Sequence, residues 1–137
     1  MTLRLFVYGT LVPGRAAWEI LEPWVVGTPE SDAVAGRLYD TGRGYPAATF
    51  SGGDAGDDSP GVVHGTVVVL DPERAPAALA DLDHYEGPEY RRVTVRTERG
   101  VEAAAYAWIA PLTGCRAVDG GHWADWAHTE SRREDGR

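Results

Sequence analysis

The apolar positions of this chain fall in short runs punctuated by glycine and proline, a pattern that predicts many short strands and few helices. Leu3 to Tyr8 is apolar on both alternating sets of positions apart from Arg4, as expected of a central strand covered on both faces, and Gly9 then allows a sharp turn. Arg15 to Leu21 carries Ala16, Ala17, Ile20 and Leu21 at helical spacing until Pro23 ends the segment. Trp24 to Val26 and Ala33 to Tyr39 read as two strands divided by the turn-forming Gly27-Thr28-Pro29-Glu30, and a small strand follows at Ala47 to Phe50. Val62 to Leu70 is β-branched almost throughout, so it reads as a central strand, with Gly65 marking a bulge or a close approach.

Asp71-Pro72 looks like a helix start, but Pro76 would interrupt that helix, so the regular turn is expected from Pro76 onward. Leu79, Leu82 and Tyr85 then share one face of a helix running to Glu86, which Gly87-Pro88 cannot continue. Tyr90 to Thr97 and Val101 to Ile109 alternate as strands, joined by a hairpin turn at Glu98-Arg99-Gly100. Ala103, Ala105 and Ala107 predict a tightly curved sheet packed against something bulky. Gly120 to Trp126 reads as a turn leading into a short terminal helix. The sum, about six or seven short strands with few short helices, predicts an α+β single domain whose mixed sheet curls into a small barrel. The domain is expected over residues 1–127, with 128–137 a polar tail that frays.

Composition narrows the partner. The 137 residues carry a net charge of −8 with a pI near 4.9, which lacks the electrostatic footprint for nucleic acid or a membrane surface and leaves a small molecule as the expected partner. All 13 basic residues are Arg, which removes side-chain Schiff-base chemistry and a phosphate-gripping lysine. The lone Cys115 cannot form an internal disulfide, and a thiol hydrolase would need folding to bring a histidine to it. His64, His84, His122 and His128 have no mutual metal spacing, and the acidic, glycine-rich Ser51 to Gly61 lacks the register of a calcium loop, so no metal and no cofactor is expected. With no signal-like or membrane-spanning run, a cytoplasmic location is expected.

One acid draws attention by position. Glu86 stands at the junction of the predicted helix and strand, where a rigid scaffold can hold a carboxylate against a cavity, although a solvated acid at a helix end fits the same spacing. The turn at Gly9 is a natural place for the N–H groups of Gly9, Thr10 and Leu11 to converge on an anion, with an ordinary strand-ending turn as the alternative. Tyr8 either offers its hydroxyl to the same place or packs as an amphipathic ring.

Phe6-Val7-Tyr8-Gly9-Thr10-Leu11, followed in order by Gly36-x-Leu38-Tyr39, Tyr45-Pro46-Ala47, Val63-x-Gly65, Leu82-Asp83-x-Tyr85-Glu86-Gly87, Tyr90-x-Arg92 and Gly121-x-Trp123, resembles the gamma-glutamylcyclotransferase family. More narrowly it is similar to the AIG2-like, or gamma-glutamylamine cyclotransferase, branch, over residues 3 to 126. The resemblance implies a small barrel with a cavity, a substrate loop at Tyr8, Gly9, Thr10 and Leu11, and Glu86 as the catalytic glutamate. Thr10 stands where many members have serine, which keeps the hydroxyl. The implied reaction is attack of a substrate's own α-amine on its γ-carbonyl, forming 5-oxoproline and releasing the attached amine.

Such a ring closure needs no enzyme nucleophile, because the attacking nitrogen is already tethered at high effective molarity. It needs a proton carrier, and one carboxylate of raised pKa can serve both transfers, so Glu86 is expected to be largely buried beside Tyr85, Tyr90 or Tyr106. Tyr90, Arg92, Tyr106 and Trp123 are further pocket candidates. A structural salt bridge is expected for Arg92, with substrate contact as the alternative, since an Arg close to Glu86 would lower the pKa that the reaction wants raised. Two other readings stay open: a binding module that uses the same cavity for a small metabolite, and an amide hydrolase in which Glu86 activates water.

Overall fold

A computed structural model of the chain describes residues 3–9, 18–43, 45–50, 61–118 and 123. Its elements are β1 (Leu3–Val7), α1 (Trp18–Leu21), a 3-10 turn (Glu22–Trp24), β2 (Val25–Asp40), β3 (Pro46–Phe50), β4 (Val62–Leu70), α2 (Ala75–Glu86), β5 (Tyr90–Arg96), β6 (Glu102–Trp108) and β7 (Arg116–Ala117). The strands form one sheet in the order β3-β2-β4-β1-β6-β5, with β7 added beside β2. All pairings are antiparallel except that of β1 with β6, so the sheet is mixed. It curls into a nearly closed barrel with one long helix, α2, on its outside, in agreement with the α+β reading.

Two apolar clusters, one on each face of the curl, explain the chain's hydrophobic pattern. β1 splits its residues between them: Phe6 faces inward and Leu5 and Val7 face α2, and all three are buried. Inside, Phe6, Tyr8 and Phe50 meet edge to face or tilted, with Tyr8 and Phe50 ring centroids 5.9 Å apart. Ala103 and Ala105 supply the small positions that let the sheet bend around these rings. On the other face Ala75, Ala78 and Leu82 of α2 lie on Leu5, Val7, Val68 and Leu70. Gly65 marks a close approach, as expected, since a Cβ there would stand 2.2 Å from the Val7 carbonyl oxygen.

Two expectations need correction. The segment read as two strands and a turn is one strand of 16 residues, β2. Gly27, at φ 73°, lets the chain bulge between Val26 and Glu30, while β4 runs straight past and pairs with both halves. Tyr85 is exposed rather than packed on the sheet, because the buried stripe of α2 runs through Ala75, Ala78 and Leu82 and reaches Glu86, one turn beyond Leu82. The helix starts at Ala75, one residue before the expected Pro76, which sits in its first turn, and Asp71 caps the preceding turn by accepting the Glu73 N–H. The hairpin at residues 98–100 is as read, with the Gly100 N–H donating to the Thr97 carbonyl at 2.9 Å. Among the described residues no helix is long and apolar enough to cross a membrane. The Ser51 to Pro60 part of the acidic loop, most of the expected terminal helix and the tail lie outside the described residues.

Candidate active site

The end of β1 and the end of α2 meet at a cavity of about 400 Å³. Phe6, Val7, Tyr8 and Gly9 come from β1 and its turn, Tyr85 and Glu86 from α2, Tyr45 and Pro46 from the start of β3, Tyr90 from β5 and Tyr106 from β6. Two segments nearly eighty residues apart in sequence therefore face one hollow. The helix does this by geometry: Leu82 seats it on the sheet, and Glu86, one turn on, projects from the same stripe past the core's edge. Gly87, at φ 81°, then stops the helix, its N–H donating to the Asp83 carbonyl at 3.1 Å.

Glu86 is the one charged side chain among the described residues that line the cavity. Burial raises its pKa from 4.5 to about 7, because desolvation disfavours the ionised carboxylate. Three of the surrounding phenols, those of Tyr8, Tyr90 and Tyr106, stay protonated. Burial above all, with Tyr90 and the Glu86 carboxylate as neighbours, holds the Tyr8 hydroxyl well above its ordinary range, and burial does the same for Tyr90 and Tyr106. Each of the three donates its proton to the scaffold. Tyr8 donates to the Tyr106 carbonyl, Tyr90 to the Pro46 carbonyl at 2.5 Å, and Tyr106 to Asp83 Oδ1 at 2.7 Å. Glu86 is left as the proton-exchanging group of the described lining near neutral pH.

The candidates divide accordingly. Tyr8, Gly9, Glu86, Tyr90 and Tyr106 converge on the cavity. Thr10 and Leu11 lie outside the described residues. Arg92 is not among the lining residues; its Nη1 sits 3.1 and 3.0 Å from the two Asp83 oxygens and ties β5 to α2 as a surface salt bridge. Trp123 packs in the inner cluster with Tyr8 rather than on the cavity wall. A Cβ on Gly9 would meet Pro46 Cγ at 2.7 Å, so the bare glycine is what lets the β1 turn lie against β3. Tyr45 and Pro46 join the lining beyond the residues expected from sequence, and the Tyr45-Pro46-Ala47 motif is the signal that points to them. Among the described residues no three His, Cys, Asp or Glu side chains converge as a metal site would require.

The profile of gamma-glutamyl cyclotransferase, AIG2-like proteins matches residues 5–125. The chain belongs to this family. The cyclotransferase-family chain also shares its fold with solved structures. PH0828 from Pyrococcus horikoshii is 21% identical, with a TM-score of 0.70 over 95% of this chain and 97% of that one. YtfP from Escherichia coli is 30% identical, with a TM-score of 0.58 over 90% and 98%. An AIG2-like protein from mouse is 21% identical, with a TM-score of 0.57 over 80% of each chain. No curated protein matches the sequence significantly.

Proposed function

We propose that this cyclotransferase-family protein converts the γ-glutamyl group of a small γ-glutamyl amine or amide to 5-oxoproline and releases the amine, with Glu86 as general acid and base. The observation that carries this reading is the shared cavity, in which Glu86, its pKa raised to about 7, faces the Gly9 turn. In this scheme the main-chain amides of Tyr8 to Leu11 hold the γ-glutamyl moiety. Glu86 takes a proton from the α-ammonium, the freed amine attacks the γ-carbonyl carbon, the same carboxyl protonates the departing nitrogen as the amide bond breaks, and the ring nitrogen's second proton passes to the restored carboxylate and on to the released amine. Near neutrality Glu86 is divided between its two forms, which suits a group that must first accept and then donate. The aromatic walls keep water from competing for the carbonyl.

The test is a product screen over γ-glutamyl amides with Glu86→Gln as control. Release of 5-oxoproline by the wild type and its loss in the variant is the expected result. Glutamate as the product would sink cyclisation in favour of hydrolysis, and binding without any turnover would leave a metabolite-binding module.

A further inference from the structure

The cavity's wall near Glu86 is built from the rings of Tyr45, Tyr85, Tyr90 and Tyr106 together with Pro46. Ring faces carry partial negative charge, and a carboxylate drawn among them would lose its water and meet no cation of the described lining. A cation does stand beside this wall. The Arg43 guanidinium lies 5.2 Å from the Tyr45 ring centroid and 5.7 Å from that of Trp108, so two rings fix it in place. Its Nη2 donates to Glu89 Oε2 at 2.9 Å, one contact in a surface pair whose side chains are 52% and 37% exposed and which borders the cavity without lining it. A guanidinium is the group best shaped to receive a substrate carboxylate, and here a tethered carboxylate already holds it.

We propose that Glu89 is a specificity-determining positioning residue: by keeping Arg43 paired, it restricts the cavity to γ-glutamyl amides of apolar or aromatic amines and disfavours leaving groups that carry a carboxylate. This substrate assignment rests on the cyclotransfer reading above. It accounts for the placement of a paired rather than an open arginine next to an otherwise uncharged aromatic wall. Removing the Glu89 charge frees the guanidinium for a substrate carboxylate, so the residue acts through Arg43 and not by touching the reacting atoms.

The test is a matched pair of ligands, γ-glutamyl-2-phenylethylamide and γ-glutamyl-phenylalanine, which differ by one carboxylate. Binding of each is measured by calorimetry, with 5-oxoproline release followed separately. The wild type is expected to bind the amide about tenfold more tightly or better. Glu89→Gln is expected to narrow that ratio by about threefold or more, through tighter binding of the carboxylated ligand. The double variant Arg43→Gln/Glu89→Gln is expected to restore the discrimination. A structural role for Glu89 would shift both ligands together and leave the ratio alone. Equal or reversed preference in the wild type, an unchanged ratio in Glu89→Gln, or no binding of either ligand overturns the proposal. A preserved binding preference without 5-oxoproline release supports it while defeating cyclotransfer alone.

Discussion

The Tyr90 hydroxyl donates to the Pro46 carbonyl at 2.5 Å, joining the first residue of β5 to the first residue of β3. These strands stand at opposite ends of the sheet order, so this side chain helps close the curl, together with the Glu98 N–H that donates to the Ala33 carbonyl of β2 at 2.8 Å farther along the seam. The same pair of residues lines the cavity. Tyr90→Phe leaves the Pro46 carbonyl without its partner and is expected to cost about 1–3 kcal/mol. Urea unfolding with a lowered midpoint and an unchanged slope is the result that agrees with this; an unshifted midpoint refutes it.

Activity should follow the Glu86 carboxylate. In the proposed scheme the ionised form is the base, so kcat/KM is expected to rise with pH up to about 7 and then level off. Glu86→Gln should lower activity by about 10²- to 10⁴-fold and abolish that limb. A variant that keeps both the rate and the limb moves the chemistry elsewhere.

The same carboxylate weighs on the fold. Its folded pKa of about 7 exceeds the ordinary 4.5, so its favourable share of stability is complete below pH 4.5 and is lost as pH rises through about 7. Ionised Glu86 then costs up to about 3 kcal/mol. Glutamine does not titrate, so Glu86→Gln should match the wild type's melting temperature near pH 4 and exceed it by several degrees at pH 8.5. Thermal melts across that range check the sign, and a constant difference contradicts it.

Gly65→Ala should be among the harshest small changes. The added methyl would lie 2.2 Å from the Val7 carbonyl oxygen and 2.8 Å from Phe6 Cζ, and β1 is held on both sides by β4 and β6. A loss of about 3 kcal/mol is expected. Because Val7 leads directly into the Tyr8–Gly9 turn, ligand binding should weaken alongside stability, and a variant with wild-type stability would show that β1 can shift freely.

Arg92→Ala should be mild. The pair with Asp83 is at the surface, with side-chain exposures of 36% and 47%, and such pairs contribute about 0–1 kcal/mol. Glu86 owes its raised pKa to burial, so the activity limb near pH 7 should stay in place. Its displacement by a full pH unit would make Arg92 part of the site's electrostatics.

What the sequence disclosed was local. The two-sided apolar run of β1, the β-branched run of β4 and the hairpin around Gly100 each follow from residues close together in the chain. β2 was misread because Gly27-Thr28-Pro29 has turn chemistry, and only the partner strand running past it makes the bulge part of a continuous ladder. Glu86 was legible as a helix-end acid, and the four-residue step from Leu82 could have shown its direction where the Tyr85 spacing misled. Tyr45 and Pro46 reach Tyr90 across the seam from 44 or more residues away, and no periodicity encodes that meeting. Arg43 and Glu89, 46 residues apart, were hidden for the same reason.

A wall fastened by side chains opens at lower cost than one fastened by a ladder of amides. Hydrogen exchange should therefore run fastest along the outer edges of β3 and β5, slowest in β1 and β4, and slow at those edges once a ligand fills the hollow between them. The breathing of that joint offers a route for a small molecule to enter or leave the hollow without unzipping any strand.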